Sequence, residues 1–99
     1  MLLGKVIGTV WATRKDEQLV GMKLQIVQEI ELDESPKTKF IIAVDSVGAG
    51  EGETVLVAQG SSARQTDLTR NRPVDAVIMA IVDKLDYSRL EELLAEFEA

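Results

Sequence analysis

Two short stretches of this chain carry residue types whose spacing could do chemistry. Gly48-Ala49-Gly50-Glu51-Gly52-Glu53 has the glycine density of a phosphate-cradling loop, in which backbone N–H groups close around an anion. No Lys-Ser or Lys-Thr follows it, and Glu51 and Glu53 would repel the anion they had to surround. The same glycines suit a tight loop that takes φ > 0 or lets another backbone come close, and close approach is also what a subunit interface requires. The second stretch, Gly60-Ser61-Ser62-Ala63-Arg64, sets two hydroxyls beside a guanidinium, a group that could hold a small anion or line a polar opening. It equally describes a turn closed by side-chain to backbone hydrogen bonds.

The rest of the composition narrows the chemistry. The 99 residues include no histidine and no cysteine. That removes Ser-His-Asp and Cys-His catalysis, the commonest zinc and copper ligand sets, and disulfides. Carboxylate-only acid–base work would remain, but no pair of Asp or Glu positions is marked out for it, and their spacing is not that of a calcium loop. No catalytic residue, metal or cofactor is therefore expected. A net charge of −6 and only four aromatic side chains oppose nucleic-acid binding, which needs a basic groove with stacking platforms. No apolar run approaches the ~20 residues of a membrane span, and Met1-Leu2-Leu3-Gly4-Lys5 does not have the form of a signal peptide. The expectation is a cytosolic protein with no membrane partner. A chain this short buries only about two-thirds of its unfolded surface, which makes oligomerisation a natural source of added stability.

The elements that position the two stretches read as strands. Leu2 to Ala12 is mostly β-branched or apolar, with Gly4 and Gly8 placed to bend it or admit another backbone. Trp11, on that strand, belongs by default in an apolar core or a subunit contact. After a polar stretch and a turn at Gly21, Met22, Leu24 and Ile26 alternate with Lys23 and Gln25, and Ile30 and Leu32 keep the parity. This predicts a half-buried strand with that set facing the core. Residues 33–39 are mostly polar and contain Pro36, which predicts an exposed hairpin loop whose charges are solvated. Phe40 to Val44 and Thr54 to Ala58 are apolar runs of the kind covered on both faces. Gln65 to Arg72 reads as a loop with one helical turn, and Val74 to Val82 as the last strand. Leu90, Leu93, Leu94 and Phe97 then fall on one helical face, with Glu91, Glu92, Glu96 and Glu98 elsewhere and a capping-box spacing from Ser88 to Glu91. The fold class predicted is all-β, a small five-stranded OB-like β-barrel with a C-terminal α-helix.

Several segments together carry a resemblance. They are Leu3 to Thr13, Gly21 to Leu24, Val44-Asp45-Ser46-Val47-Gly48-Ala49-Gly50-Glu51-Gly52-Glu53 with Val55 to Val57, Gly60 to Arg64, Pro73 to Ala76 and Ala80 to Asp83. In order and spacing they resemble the EutN/CcmL family of bacterial microcompartment vertex proteins. The resemblance covers residues 1–83 as a vertex barrel domain and leaves 84–99 as an amphipathic helix that matches no motif. It implies a homopentamer that closes the vertices of a polyhedral shell among hexameric shell proteins, located in the cytoplasm and without catalysis. Carried over by position, Gly48, Ala49, Gly50, Gly52 and Glu53 would lie between subunits or toward neighbouring tiles. Ser61, Ser62, Ala63 and Arg64 would lie near the five-fold axis or an inter-subunit contact. The alternative is a non-catalytic accessory or binding subunit with an OB-like fold.

An exposed apolar stripe invites aggregation, so the helix is expected to pack within the pentamer. Replacing Leu93 and Leu94 by Asp is then expected to weaken the ring, and an unchanged native mass for that variant would count against it.

Overall fold

In the computed structural model, which describes residues 1–98, alternating apolar runs become β1 (Leu2–Val10), β2 (Leu24–Ile30), β3 (Pro36–Asp45), β4 (Thr54–Gln59) and β5 (Ala76–Ile81). One helix, α1 (Ser88–Glu98), follows. The strands close into a barrel in the order β1-β2-β3-β5-β4, with β4 pairing back onto β1. Every pairing is antiparallel except β3 with β5, which spans only Val44↔Val77 and Asp45↔Ile78. This is the five-stranded barrel that the spacing of the apolar runs predicts.

Apolar side chains form two separate cores. Val6, Val27, Ala43, Ala49, Val55, Val57, Ala76 and Ile78 fill the barrel interior. Met22, Val44, Ala58, Ala63, Val74 and Val77 form a second cluster, capped by the segment from Gly60 to Val74. A strand that serves both cores is buried on both faces, as Val77 and Ile78 are, both at 0% exposure. Alternation of polarity is then lost from its sequence.

The direction of β2 differs from the expectation. Its inward residues are Gln25 and Val27, paired with Thr9 and Val6 on β1 and with Ala43 and Ile41 on β3. Leu24 and Ile26 point outward and are half-buried, and Leu32 is exposed. Ile30 is buried again after a register shift between Gln28 and Ile30. A shift of one residue exchanges the two faces of a strand, so parity alone could not choose between an apolar outer face and an apolar inner one.

Other differences concern where strands end. Trp11 lies just past β1 and is 89% exposed, so it is no part of either core. Pro36 opens β3 instead of lying in a loop, a position that requires no ladder donor. Within residues 33–39, Lys37 is not merely solvated but pairs with Glu29 at 3.0 Å. Phe40 and Ile42 stand uncovered on the outer face of β3 rather than buried on both sides. At α1, Ser88 Oγ donates to Asp86 Oδ1 and the Glu91 amide bonds the Tyr87 carbonyl, so the Ser88–Glu91 capping box does not form.

Of the seven glycines, Gly4 has the closest surroundings. A Cβ there would lie 2.4 Å from Val27 Cγ1 and 3.0 Å from the Gln28 carbonyl oxygen. At Gly8 it would meet only Ile26 Cδ1, at 3.6 Å, which is ordinary contact. Gly4→Ala is expected to destabilise the fold by about 1–3 kcal/mol through overpacking, and Gly8→Ala to leave a single chain's unfolding midpoint unchanged. Urea titration of both variants at one protein concentration checks this, and equal midpoints would refute the close-approach reading of Gly4.

Candidate functional site

The near side of the Gly48–Glu53 loop is built by one carboxylate. Asp45, the last residue of β3 and 8% exposed, accepts through Oδ1 from the amides of Val47 (3.0 Å), Gly48 (2.9 Å) and Ala49 (3.2 Å). The fully buried Gln25 completes the cradle. Its Nε2 donates to the Ala49 carbonyl at 2.8 Å and reaches Asp45 Oδ2 at 3.4 Å, while its Oε1 accepts from Thr9 Oγ1 at 2.8 Å. A charged acceptor holding three amides is stronger than a neutral one, and it forces the chain to double back directly after β3. Gly48 takes φ 77° and Gly52 φ 89°, left-handed conformations that side chains resist.

The far side of the loop is held the same way. Glu53 Oε1 accepts from the Gly50 amide at 2.6 Å, and a Cβ on Gly50 would come within 3.2 Å of that oxygen. The Gly52 amide donates to the Val6 carbonyl and the Val6 amide to the Glu53 carbonyl, which stitches the loop to β1. Ala49 turns into the barrel core at 1% exposure, so its side chain has no surface to offer. Gly48, Glu51, Gly52 and Glu53 are exposed and Gly50 is half-buried, which leaves a hydrogen-bonded turn of backbone with two acidic side chains outward.

Gly60–Arg64 forms a short 3-10 turn that begins with Gly60 at φ 66°. Ser62 Oγ donates to the Gln59 carbonyl at 2.7 Å, and Arg64 donates to the Val74 carbonyl at 3.2 Å. One of the two hydroxyls, that of Ser62, and one N–H of the Arg64 guanidinium are thus engaged with backbone carbonyls. Ala63 is fully buried in the second core, and its carbonyl accepts from Thr69 Oγ1 at 2.6 Å. Ser61 is exposed.

The two stretches do not meet. They lie at opposite ends of β4, six residues long, and about 20 Å apart at ~3.3 Å per residue. Neither forms a chemical centre with the other. The groups moved from their ordinary pKa lie elsewhere, around the β2–β3 turn. Hydrogen bonds from Ser35 lower Asp33, and a hydrogen bond to Glu29 raises Lys37. A hydrogen bond to Glu34 raises Tyr87. Each shift follows first from a hydrogen bond to a neighbouring polar group, unlike the burial that tunes an acid or base for catalysis. Among the described residues no group of three or more acids is placed to hold a metal.

Gln25 and Thr9 escaped the reading of the sequence. An amide flanked by Leu24 and Ile26 looks like the polar side of a strand, and only its reach to Asp45 shows otherwise.

The fold and these two loops define a small closed β-barrel protein with an appended helix. Residues 1–83 match the family described as ethanolamine utilisation protein EutN/carboxysome, and the chain belongs to that family. The microcompartment shell vertex protein GrpN of Rhodospirillum rubrum is 45% identical over 86 residues, covering 87% of this chain and 97% of GrpN. A solved structure of GrpN, described as a pentameric microcompartment shell protein, has a TM-score of 0.80 over 87% of this chain and 98% of that one. The carboxysome shell vertex protein CcmL of Gloeobacter violaceus is 42% identical over 83 residues, covering 84% of this chain and 83% of CcmL. Its solved structure has a TM-score of 0.85 at 40% identity, covering 89% of this chain and 91% of that one.

Asp45→Ala strands the amides of Val47, Gly48 and Ala49 at once, while Gln25 keeps its bonds to Ala49 and Thr9. It is expected to cost about 3 kcal/mol, with Asp45→Asn, which keeps an acceptor but not the charge, losing roughly half of that. Urea unfolding at fixed protein concentration measures both, and an Asp45→Ala midpoint matching the parent chain would show that the carboxylate does not order the loop.

Proposed function

We propose that this chain forms the five-fold vertices of a bacterial microcompartment shell, as a homopentamer that supplies curvature among hexameric tiles and catalyses no reaction. The observation that carries the reading is the outer face of β2 and β3. Ile26 opposes Ile42 and Gln28 opposes Phe40 across that face, and Ile42 and Phe40 remain 48% and 57% exposed. Contiguous apolar surface of this kind is what a partner subunit covers. The glycine loop at one end of β4 and the Gly60–Arg64 turn at the other supply two further edges where a backbone can come close.

Within this reading residues 1–83 are the vertex barrel and 84–99 an appended helix. Gly48, Gly50, Gly52 and Glu53 form an edge toward a neighbouring subunit or tile, with Ala49 locking that edge from inside. Ser61 and Arg64 face the axis or a subunit contact, with Ser62 and Ala63 holding the turn. A flat sheet of hexagonal tiles cannot close, and a head-to-tail interface that closes after five subunits provides the missing curvature. The names of GrpN and CcmL as shell vertex proteins support the location in the shell and the absence of catalysis.

Native mass spectrometry across a range of concentrations tests the assembly. A dominant species at five times the 10.9 kDa chain mass is expected. A monomer or dimer at every concentration would overturn the reading and favour an accessory-subunit role.

A further inference from the structure

The C-terminal helix and a groove at the other end of the barrel are each incomplete within one chain. α1 leaves Leu93 at 37%, Leu94 at 43% and Phe97 at 87% exposure. At ~100° per residue these three and Leu90 share one face, bordered by Glu91 on one side and by Arg89 and Glu96 on the other. Arg89 is already paired with Glu92 at 2.6 Å, so it does not offset the two bordering acids.

The groove lies beside the end of β1 and the start of β2. Val10, Trp11, Met22 and Leu24 line it together with Lys15 and Lys23, and no carboxylate does. Among the described residues neither lysine has an ion-pair partner. Asp16, adjacent to Lys15, is turned to the Gln18 amide at 2.9 Å. In a chain of net charge −6, this is an apolar trough with a basic border.

We propose that the groove receives the C-terminal helix of a neighbouring copy, with Phe97, Leu93 and Leu94 against Trp11, Val10 and Leu24, and Glu91 and Glu96 against Lys15 and Lys23. The helix matches the groove in both apolar surface and charge, positive border against negative. The helix of the same chain does not lie in the groove. Tyr87 donates to Glu34 at 3.2 Å, and Leu90 and Leu94 line a pocket with Glu31, Leu32 and Asp33, which places the start of α1 beside the β2–β3 turn. That turn and the groove are at opposite ends of β2, seven residues long, which places them about 20 Å apart. The eleven-residue helix is only about 16 Å long, and it extends the molecule to 54 Å against 23 and 22 Å across. A helix at one end and its acceptor at the other make the contact head-to-tail, the kind that can close a ring. The inference therefore rests on the ring assembly proposed above.

Trp11 is the only tryptophan, so its fluorescence reports on the groove directly. Lys15, Lys23, Glu91 and Glu96 are all exposed, so reversing them leaves both cores intact. The experiment compares the parent chain, K15E/K23E, E91K/E96K and the fourfold combination. Native mass against concentration reads the ring, and acrylamide quenching of Trp11 reads the docking. In parent rings Trp11 is expected to be severalfold less quenchable than in the dissociated chain. Each double reversal is expected to expose it and to raise the concentration at which the ring dissociates by about tenfold or more, and the combination is expected to restore both. Rings in which Trp11 stays fully quenchable, or a combination that regains neither property, would overturn the docking while leaving the ring reading intact. Absence of any ring in the parent chain would overturn both.

Discussion

The carboxylate of Asp45 sits where three elements converge, and the rest of the molecule is arranged around it. Its own amide bonds the Lys23 carbonyl at the entrance to β2, and its register partner on β5 is Ile78. Its side chain gathers the amides of Val47, Gly48 and Ala49. A buried charge is tolerable only where hydrogen bonds replace its hydration. Here they fix the path of the chain from β3 into β4, and they depend on Gln25 being inside the barrel. The amide of Gln25 is in turn satisfied by Ala49 and Thr9. The inward face of β2, the position of Ala49 in the core and the shape of the exposed loop are consequences of one polar cluster.

Closure of the barrel imposes a second constraint. The parallel contact of β3 with β5 is two residues long, and Ser46 Oγ adds a bond to the Ile78 carbonyl at 2.5 Å. So short a seam holds only if the other strands approach closely enough to complete the cylinder. Gly4 permits that approach to Val27. The second core follows from the closure, because a closed barrel has an outer surface, and the segment from Gly60 to Val74 covers one end of it through Ala63 and Val74.

What is left uncovered has a pattern. Phe40 and Ile42 on the sheet, Trp11 at the end of β1 and Phe97 on the helix are all exposed in one chain. In the two glycine stretches Glu53, Ser62 and Arg64 bond to backbone of their own chain. Apolar surface outside and satisfied polar groups inside are the reverse of a catalytic cleft, where perturbed groups converge on a pocket. They suit a protein whose work is to be packed against others. The Cα radius of gyration of 15.2 Å, against about 13 Å for a compact chain of this length, reflects a helix extended beyond its own barrel.

Much of this was determined by the sequence alone. Residue types and spacing in Gly48–Glu53 and Gly60–Arg64 determined two tight turns, because positive φ at Gly48, Gly52 and Gly60 is a local property of glycine. The number of strands, the amphipathic tail and the absence of histidine chemistry were equally local, and the order of the motifs carried the family. The tertiary structure decided which way β2 faces, since Leu24-Gln25-Ile26 offers an apolar face on one parity and Gln25 and Val27 on the other, and only a partner at Asp45 selects the second. It decided that Trp11 lies outside, that Ala49 and Ala63 lie inside, and that the two glycine stretches stand at opposite ends of β4. Each of these depends on contacts between residues distant in sequence, and periodicity along a chain carries no information about what will stand opposite.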